Sequence, residues 1–195
     1  MKAIVFDVDG VLLKDKDNFG NYLWSKNIEA DLGLSSDQIR LIYSGDWDSV
    51  LKGIIDTRQY FKSMFQKLNI HLSVDEFIEY WILKDSTVNT EILSVIESIM
   101  GPKLYIGTNQ ESLRTKFLQE KFEPYFDGFF SSCQIGAIKA EPKFFKYIES
   151  TLNIQPSDIA FIDDSKSHIE VATKLGWTCH HYQNIEDFKN FIKEL

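Results

Sequence analysis

Short continuous apolar runs recur along the chain, each followed by a polar or glycine-bearing turn and then by a helical pattern: Ala3 to Phe6, Leu104 to Ile106, Gly128 to Phe130, Ile159 to Ile162 and Trp177 to His181. An uninterrupted run of this length predicts a strand with both faces buried, the habit of parallel sheets. Between the runs the spacing turns helical, over Glu111 to Lys121, Pro142 to Leu152, Ser165 to Leu175 and Ile185 to Leu195. Pro142 suits a first helical turn, and Gly176 suits the stop after Leu175. Strand and helix alternate, which predicts an α/β layer fold around a mainly parallel sheet.

One stretch breaks the alternation. From about Lys14 to Lys84 no buried strand is evident, while Ile39, Leu41 and Ile42, the group Tyr60-Phe61-Met64-Phe65-Leu68, and Phe77-Ile78-Trp81-Ile82 recur at helical spacing. This predicts a helical insertion whose aromatic stripes pack its own interior. The expected division is residues 1–14 and 86–195 for the sheet-bearing body and residues 15–85 for the insertion.

With 195 residues, 44% of them hydrophobic and only 4 Pro, the chain has the composition of one globular domain with a modest insertion. Its 21 Lys+Arg against 29 Asp+Glu give a net charge of -8, which repels a phosphate backbone. Nucleic acid and anionic membrane surfaces are therefore not expected partners, and an anionic ligand needs a local positive pocket. Cys133 and Cys179 form no metal-ligand or disulfide framework and are expected as reduced, small buried residues. The first apolar run ends at Asp7, too early for a signal-peptide core, and Glu97 and Lys103 interrupt the best candidate for a membrane span. A soluble cytoplasmic protein is expected; nothing in the pattern bears on its oligomeric state.

Ligands of open parallel sheets bind at the carboxyl ends of the strands. There the chain carries Asp7-Val8-Asp9-Gly10, then Thr108-Asn109, then a loop holding Lys139, then Asp163-Asp164-Ser165. Taken singly, an Asp-x-Asp pair can cap a turn, Thr-Asn can start a helix, and a lone Lys is ordinarily solvated. Together they make a chemistry: clustered carboxylates that need a divalent cation, with one Lys and two neutral donors suited to a phosphate.

In these motifs and their order the chain resembles the haloacid dehalogenase superfamily, on its phosphatase side. Asp7-Val8-Asp9-Gly10 is similar to that family's Asp-x-Asp-Gly signature, and Tyr105-Ile106-Gly107-Thr108-Asn109 to its hydrophobic strand ending in Ser or Thr. Gly136-Ala137-Ile138-Lys139-Ala140-Glu141-Pro142 resembles its Gly-x-x-Lys-Pro-Asp-Pro segment, with Ala140-Glu141 where Pro-Asp is usual, and Phe161-Ile162-Asp163-Asp164-Ser165 its terminal acidic motif. The resemblance covers residues 1–14 and about 86–195, and implies a Rossmann-like α/β core with an inserted helical cap of the family's first class. Within the superfamily the spacing is most similar to small sugar-phosphate phosphatases of the glucose-1-phosphatase type.

What the resemblance implies is a Mg²⁺-dependent phosphatase acting on a small phosphorylated metabolite, expected to be a sugar phosphate. Asp7 would be the nucleophile that becomes an aspartyl-phosphate, and Asp9 the general acid and base. Asp7, the Asp9 carbonyl, Asp164 and Asp163, the last directly or through water, would hold Mg²⁺. Lys139, Thr108 and Asn109 would bind the phosphoryl oxygens. An acid at Asp9 favours phosphoryl chemistry over halide expulsion. A phosphomutase of the β-phosphoglucomutase type is the alternative. A receiver-type signalling domain disagrees with the motif order, and an inactive binding relative would have lost a carboxylate that is present. Lys52, Asp56, Arg58 and Trp81 are candidates to reach the cleft from the cap, and their first reading is as surface or cap-core residues. His168 stands where many relatives carry Asn or Asp, so no outer metal role is carried over to it, and His180 and His181 are expected to be structural. A calcium-loop reading of Asp15 to Gly20 fails because Phe19 takes a ligand position.

Overall fold

All five apolar runs become parallel strands: β1 (Ala3–Phe6), β2 (Lys103–Thr108), β3 (Gly128–Ser131), β4 (Ile159–Asp163) and β5 (Thr178–His181). The structure is a computed structural model that describes residues 1–17 and 21–195, and its sheet order is β3-β2-β1-β4-β5. β1 lies at the centre, with Ile4 opposite Leu104 on one side and Ala160 on the other. Central position explains the unbroken apolar runs of β1 and β4, every residue of which is buried. The two edge strands depart from the expectation of burial on both faces. β3 is half-buried over Gly128 and Phe129, and β5 is exposed at Thr178 and half-buried beyond it, because an edge strand is covered by fewer neighbours.

Between β1 and the rest of the sheet run α1 (Ile28–Leu32), α2 (Ser36–Ile42), α3 (Trp47–Leu51), α4 (Thr57–Lys67) and α5 (Val74–Lys84). Side chains start these helices where expected of Ser and Asp: Ser35 and Gln38 form a reciprocal capping box on α2, and Asp56 accepts from the Gln59 N–H on α4. Their apolar faces meet in a cluster of their own, including Trp24, Ile42, Phe61, Phe77 and Trp81. Phe61 and Phe77 sit edge to face at 5.1 Å, an arrangement that adds about 0.5–1.5 kcal/mol to the burial of their area. The outgoing and returning chains run side by side, with Lys14 N–H donating to Thr87 O and Asn89 N–H to Leu12 O, both at 2.9 Å.

The sheet is sandwiched between helices. On one face Ile4, Phe6, Ile106 and Ile162 pack under α6 (Thr90–Ile96), α7 (Ser112–Phe122) and, from the far end of the chain, the helix over Ile185–Glu194. After β3 comes the short α8 (Ser132–Ile135). On the other face Val5 and Phe161 pack under α9 (Pro142–Leu152) and α10 (Lys166–Lys174), and α11 is the helix over Ile185–Glu194 already named. The periodicity did not single out α6 and α8, both of them short. The two cysteines are half-buried rather than fully buried, and Cys133 Sγ lies 3.3 Å from Ser131 Oγ and 3.4 Å from Thr115 Oγ1. The sheet's parallel alignment brings the carboxyl ends of β1, β2 and β4 to one edge, beneath the helices α1 to α5.

Candidate active site

Asp7 follows β1 directly, and Asp163 closes β4, so two carboxylates stand side by side at the sheet edge. Lys139 reaches them from the loop between α8 and α9. Its Nζ lies 2.6 Å from Asp7 Oδ1 and 2.7 Å from Asp163 Oδ2, with all three side chains at most 7% exposed. Burial alone would lower the ammonium, but the flanking carboxylates outweigh it and hold Lys139 charged. Burial raises the Asp7 carboxyl well above the usual range, with Asp163 and Asp9 adding to the rise against Lys139. Asp163 goes the other way: burial is outweighed by Lys139 and by His168, and its carboxyl sits at about 2. A single ammonium thus balances one of the two carboxylates well and the other poorly.

Asp164 makes the imbalance larger. Its carboxylate lies over Gly10, whose φ of +78° and crowded surroundings admit no side chain, since a Cβ there would come within 2.6 Å of Asp164 Cγ. Burial, then Asp163 and Asp15, push the Asp164 carboxyl up. Asp7, Asp163 and Asp164 each offer an oxygen, all within 4.8 Å of one another. Three oxygen ligands with an excess of negative charge fit a hard divalent cation such as Mg²⁺.

Two histidines steady this group. His168 Nδ1 lies 3.1 Å from Asp163 Oδ1 and so supports the cluster through that carboxylate. His181 Nε2 meets the Asp164 carbonyl at 2.8 Å, while His180 stacks on Phe191 at 4.8 Å.

The remaining candidates fall around the same edge with some changes of partner. Thr108 is 1% exposed and its Oγ1 lies 3.5 Å from Gln110 Nε2. Asn109 lines the cavity, and its Oδ1 accepts the Lys139 N–H at 2.8 Å, which shapes the lysine loop and engages the amide oxygen rather than the donors expected to meet phosphate. Asp9 is gripped by a residue that the sequence did not single out: Arg114 Nη2 donates to Oδ1 at 2.7 Å and Nη1 to Oδ2 at 2.9 Å. Gln110 Nε2 adds a bond to Asp9 Oδ2 at 2.5 Å. The guanidinium outweighs burial and lowers the Asp9 carboxyl. A signal was available: Arg114 is a cation in the first turn of α7, against the helix dipole.

A cavity of about 970 Å³ opens over these groups, lined by Asp7, Asp9, Thr108, Lys139 and Asp164 below and by Trp24, Tyr43, Trp47 and Trp81 above. Of the four candidates in the insertion, Trp81 lines the cavity, and the other three take the surface or packing reading. Lys52 instead pairs with Glu141 at 2.7 Å, which gives the unusual Glu in the lysine loop a partner. Asp56 caps α4, and Arg58 pairs with Asp75. Further ties join insertion and sheet-bearing body: the Thr57 hydroxyl donates to the buried Glu111, and Ser132 Oγ donates to the Leu51 carbonyl at 2.6 Å. Phe19, on which the calcium-loop argument turned, lies outside the described residues.

Comparison with known proteins bears on the fold and the family. D-ribitol-5-phosphate phosphatase from Bacteroides thetaiotaomicron is 24% identical, over 97% of this chain and 95% of its own length. A HAD family enzyme from the same organism, solved as a magnesium complex, superposes with a TM-score of 0.82 at 20% identity, covering 99% of this chain and 98% of its own. The chain spans less than a fifth of the length of the mammalian relatives it matches, among them mouse acyl-CoA dehydrogenase family member 10, 27% identical over all of this chain and 19% of that protein. The model of the haloacid dehalogenase-like hydrolases matches residues 1–176, from the first strand past the terminal Asp163-Asp164 pair. With every carboxylate of the site inside that span, the chain belongs to the haloacid dehalogenase-like hydrolase family.

Proposed function

We propose that the protein is a Mg²⁺-dependent phosphatase that hydrolyses a small phosphorylated metabolite, a sugar phosphate, through an aspartyl-phosphate on Asp7. The observation that carries this reading is the convergence of Asp7, Asp163, Asp164 and Lys139, with a second acid, Asp9, two residues beyond Asp7. Bound Mg²⁺ would be held by Asp7, Asp164, Asp163 and the Asp9 carbonyl, and would neutralise the repulsion between the Asp7 carboxylate and the phosphoryl oxygens.

Asp7 then attacks phosphorus while the bond to the leaving oxygen breaks, and Asp9 gives that oxygen a proton. In the second half, Asp9 takes a proton from water as the water attacks phosphorus and the Asp7–phosphorus bond breaks, releasing inorganic phosphate. Lys139, Thr108 and the Asn109 donors hold the phosphoryl oxygens in both halves. Asn109 supports the first of these by fixing the Lys139 backbone. Residues 1–14 and 86–195 act as the catalytic core in this reading and residues 15–85 as the cap that closes over the leaving group.

Cys133 and Cys179 are unpaired, and no helix among the described residues is long and apolar enough to cross a membrane. Both fit action on a metabolite in the cytoplasm. The test is phosphate release from a panel of sugar phosphates, nucleotides and phosphorylated acids, with Mg²⁺ and with EDTA. Mg²⁺-dependent release is expected on sugar phosphates. Following hexose 6-phosphate from hexose 1-phosphates with a bisphosphate activator separates the mutase: isomerisation that outruns phosphate release would overturn the phosphatase reading.

A further inference from the structure

We infer that Arg114 is a positioning residue for the acid/base carboxylate of Asp9, and that it ties this carboxylate to the cap through Asp85. The inference rests on the reading of Asp9 given above and adds a residue and a connection to it.

The geometry is that of a fork. Arg114 is buried, its side chain 4% exposed, and both Nη groups meet both Asp9 oxygens, at 2.7 and 2.9 Å. Two parallel bonds from a planar guanidinium fix the plane of a carboxylate as well as its place, which a point charge cannot do. Gln110 completes a ring: it accepts from Arg114 Nη1 at 3.1 Å and donates to Asp9 Oδ2 at 2.5 Å. The Asp9 side chain keeps 31% of its surface open, and Asp9 lines the cavity. It is thus held from behind and presented in front.

A purely structural ion pair is the alternative. Ion pairs taken out of water are poor sources of stability, and this one leaves the Arg114 Nε–H buried with no acceptor. The fork to Asp9 is kept at the expense of that donor. A direct hold on phosphate is disfavoured as well, because both Nη groups are already committed. Nη2 also donates to the Asp85 carbonyl at 2.9 Å and lies 3.1 Å from Asp85 Oδ2.

Asp85 brings in the cap. It follows α5 directly, and Trp81 Nε1, one turn earlier, donates to its Oδ2 at 3.3 Å. The Trp81 ring lies 5.8 Å from Arg114 Cζ and lines the cavity. One cation therefore holds the proton-transfer group with both sides of its fork and, through Nη2, the end of a cap helix as well. The orientation of Asp9 follows the pose of the cap segment that meets the leaving group.

A general acid has to lie within hydrogen-bond reach of the leaving oxygen, and a misplacement of about 1 Å can cost on the order of a hundredfold. That cost depends on the leaving group, since p-nitrophenolate departs with little help from a proton and an alkoxide does not. The experiment compares wild type, Arg114→Lys and Arg114→Ala on an alkyl phosphate and on p-nitrophenyl phosphate at saturating Mg²⁺. In Arg114→Lys, kcat/KM, which reports the half that expels the leaving group, is expected to fall about tenfold or more on the alkyl ester and less than about threefold on the nitrophenyl ester, while the shared hydrolysis of the aspartyl-phosphate slows alike from both. Added guanidinium is expected to restore alkyl-ester turnover in Arg114→Ala and to leave wild type unaffected. Equal losses of kcat/KM on the two esters, or an alkyl-ester loss carried by KM at constant kcat, would overturn the inference while the phosphatase reading stands. If Arg114→Ala does not fold, Arg114→Lys decides alone. A wild-type protein that cleaves neither ester overturns the phosphatase reading and this inference with it.

Discussion

The carboxylate of Asp164 occupies the space that a side chain on residue 10 would need: a Cβ on Gly10 would come within 2.6 Å of Asp164 Cγ. The glycine is required twice, once by this approach and once by its φ of +78°. Gly10→Ala is expected to push Asp164 aside and to raise the Mg²⁺ needed for half-maximal turnover by roughly tenfold or more. A titration of activity against Mg²⁺ reads this directly, and an unchanged requirement would show that Asp164 has room to spare.

Asp7→Asn should abolish phosphate release and leave the fold intact. Burial raises the Asp7 carboxyl, so a neutral amide of the same volume is no harder to bury, and Lys139 keeps Asp163 as a partner. The expected melting temperature equals or exceeds that of wild type. Turnover within about tenfold of wild type would assign the nucleophile to another residue.

Removing the shared cation should be costly in a way that metal can partly reverse. Lys139→Ala strips Asp7 and Asp163 of the ammonium lying 2.6 and 2.7 Å away, and losing one partner of a buried charge group costs about 3–5 kcal/mol. Mg²⁺ should recover part of the loss, since ligand at 100 times its dissociation constant adds about 2.7 kcal/mol. Urea midpoints with Mg²⁺ and with EDTA give both quantities; a variant whose midpoint ignores Mg²⁺ would contradict the ligand set.

The pH dependence of stability should carry the mark of Asp85. Burial pushes its carboxyl up to about 6, Arg114 opposing. The folded state therefore holds a proton that the unfolded state has lost between about pH 4 and pH 6. Stability falls as pH rises through that window, by up to roughly 3 kcal/mol from this one group, and levels off above it. In Asp85→Asn that slope disappears, so the variant gains on wild type between pH 4 and pH 7. A difference that stays constant over that range would remove Asp85 as its source.

The sheet was legible because the runs Ala3 to Phe6 and Ile159 to Ile162 in its inner strands hold no polar residue to confuse the pattern. β1 and β4, buried on both faces, read as they are, whereas β5, with Thr178 exposed, showed only as a run beginning at Trp177. Asp7, Asp9, Thr108, Lys139 and the Asp163-Asp164 pair were legible as a set because parallel strands deliver their carboxyl ends to one edge. The direction of each side chain was not. Asn109 turns its oxygen to the Lys139 N–H, and His168, on the first turn of α10, turns to Asp163, choices of tertiary placement that local sequence does not specify. Arg114 escaped for a further reason. Its partners Asp9 and Asp85 come from other parts of the chain, and the sequence marks it only as a cation in the first turn of a helix, without naming what it holds.

The paired linkers of the insertion bear on how the molecule reaches this structure. Val5 must find Tyr105 roughly a hundred residues away and Phe161 still farther, and closing such long loops before any reward slows folding. Helices α1 to α5 have their own apolar cluster, and their two ends meet where Leu13 bridges Val88. If that cluster condenses first, it shortens the effective loop between β1 and β2 to a few residues on either side of the bridge. Trp24, Trp47 and Trp81 lie in the insertion and Trp177 beside the sheet. Refolding followed in Trp177→Phe therefore reports on the insertion alone, and its fluorescence should settle before the sheet's far-ultraviolet signal is complete.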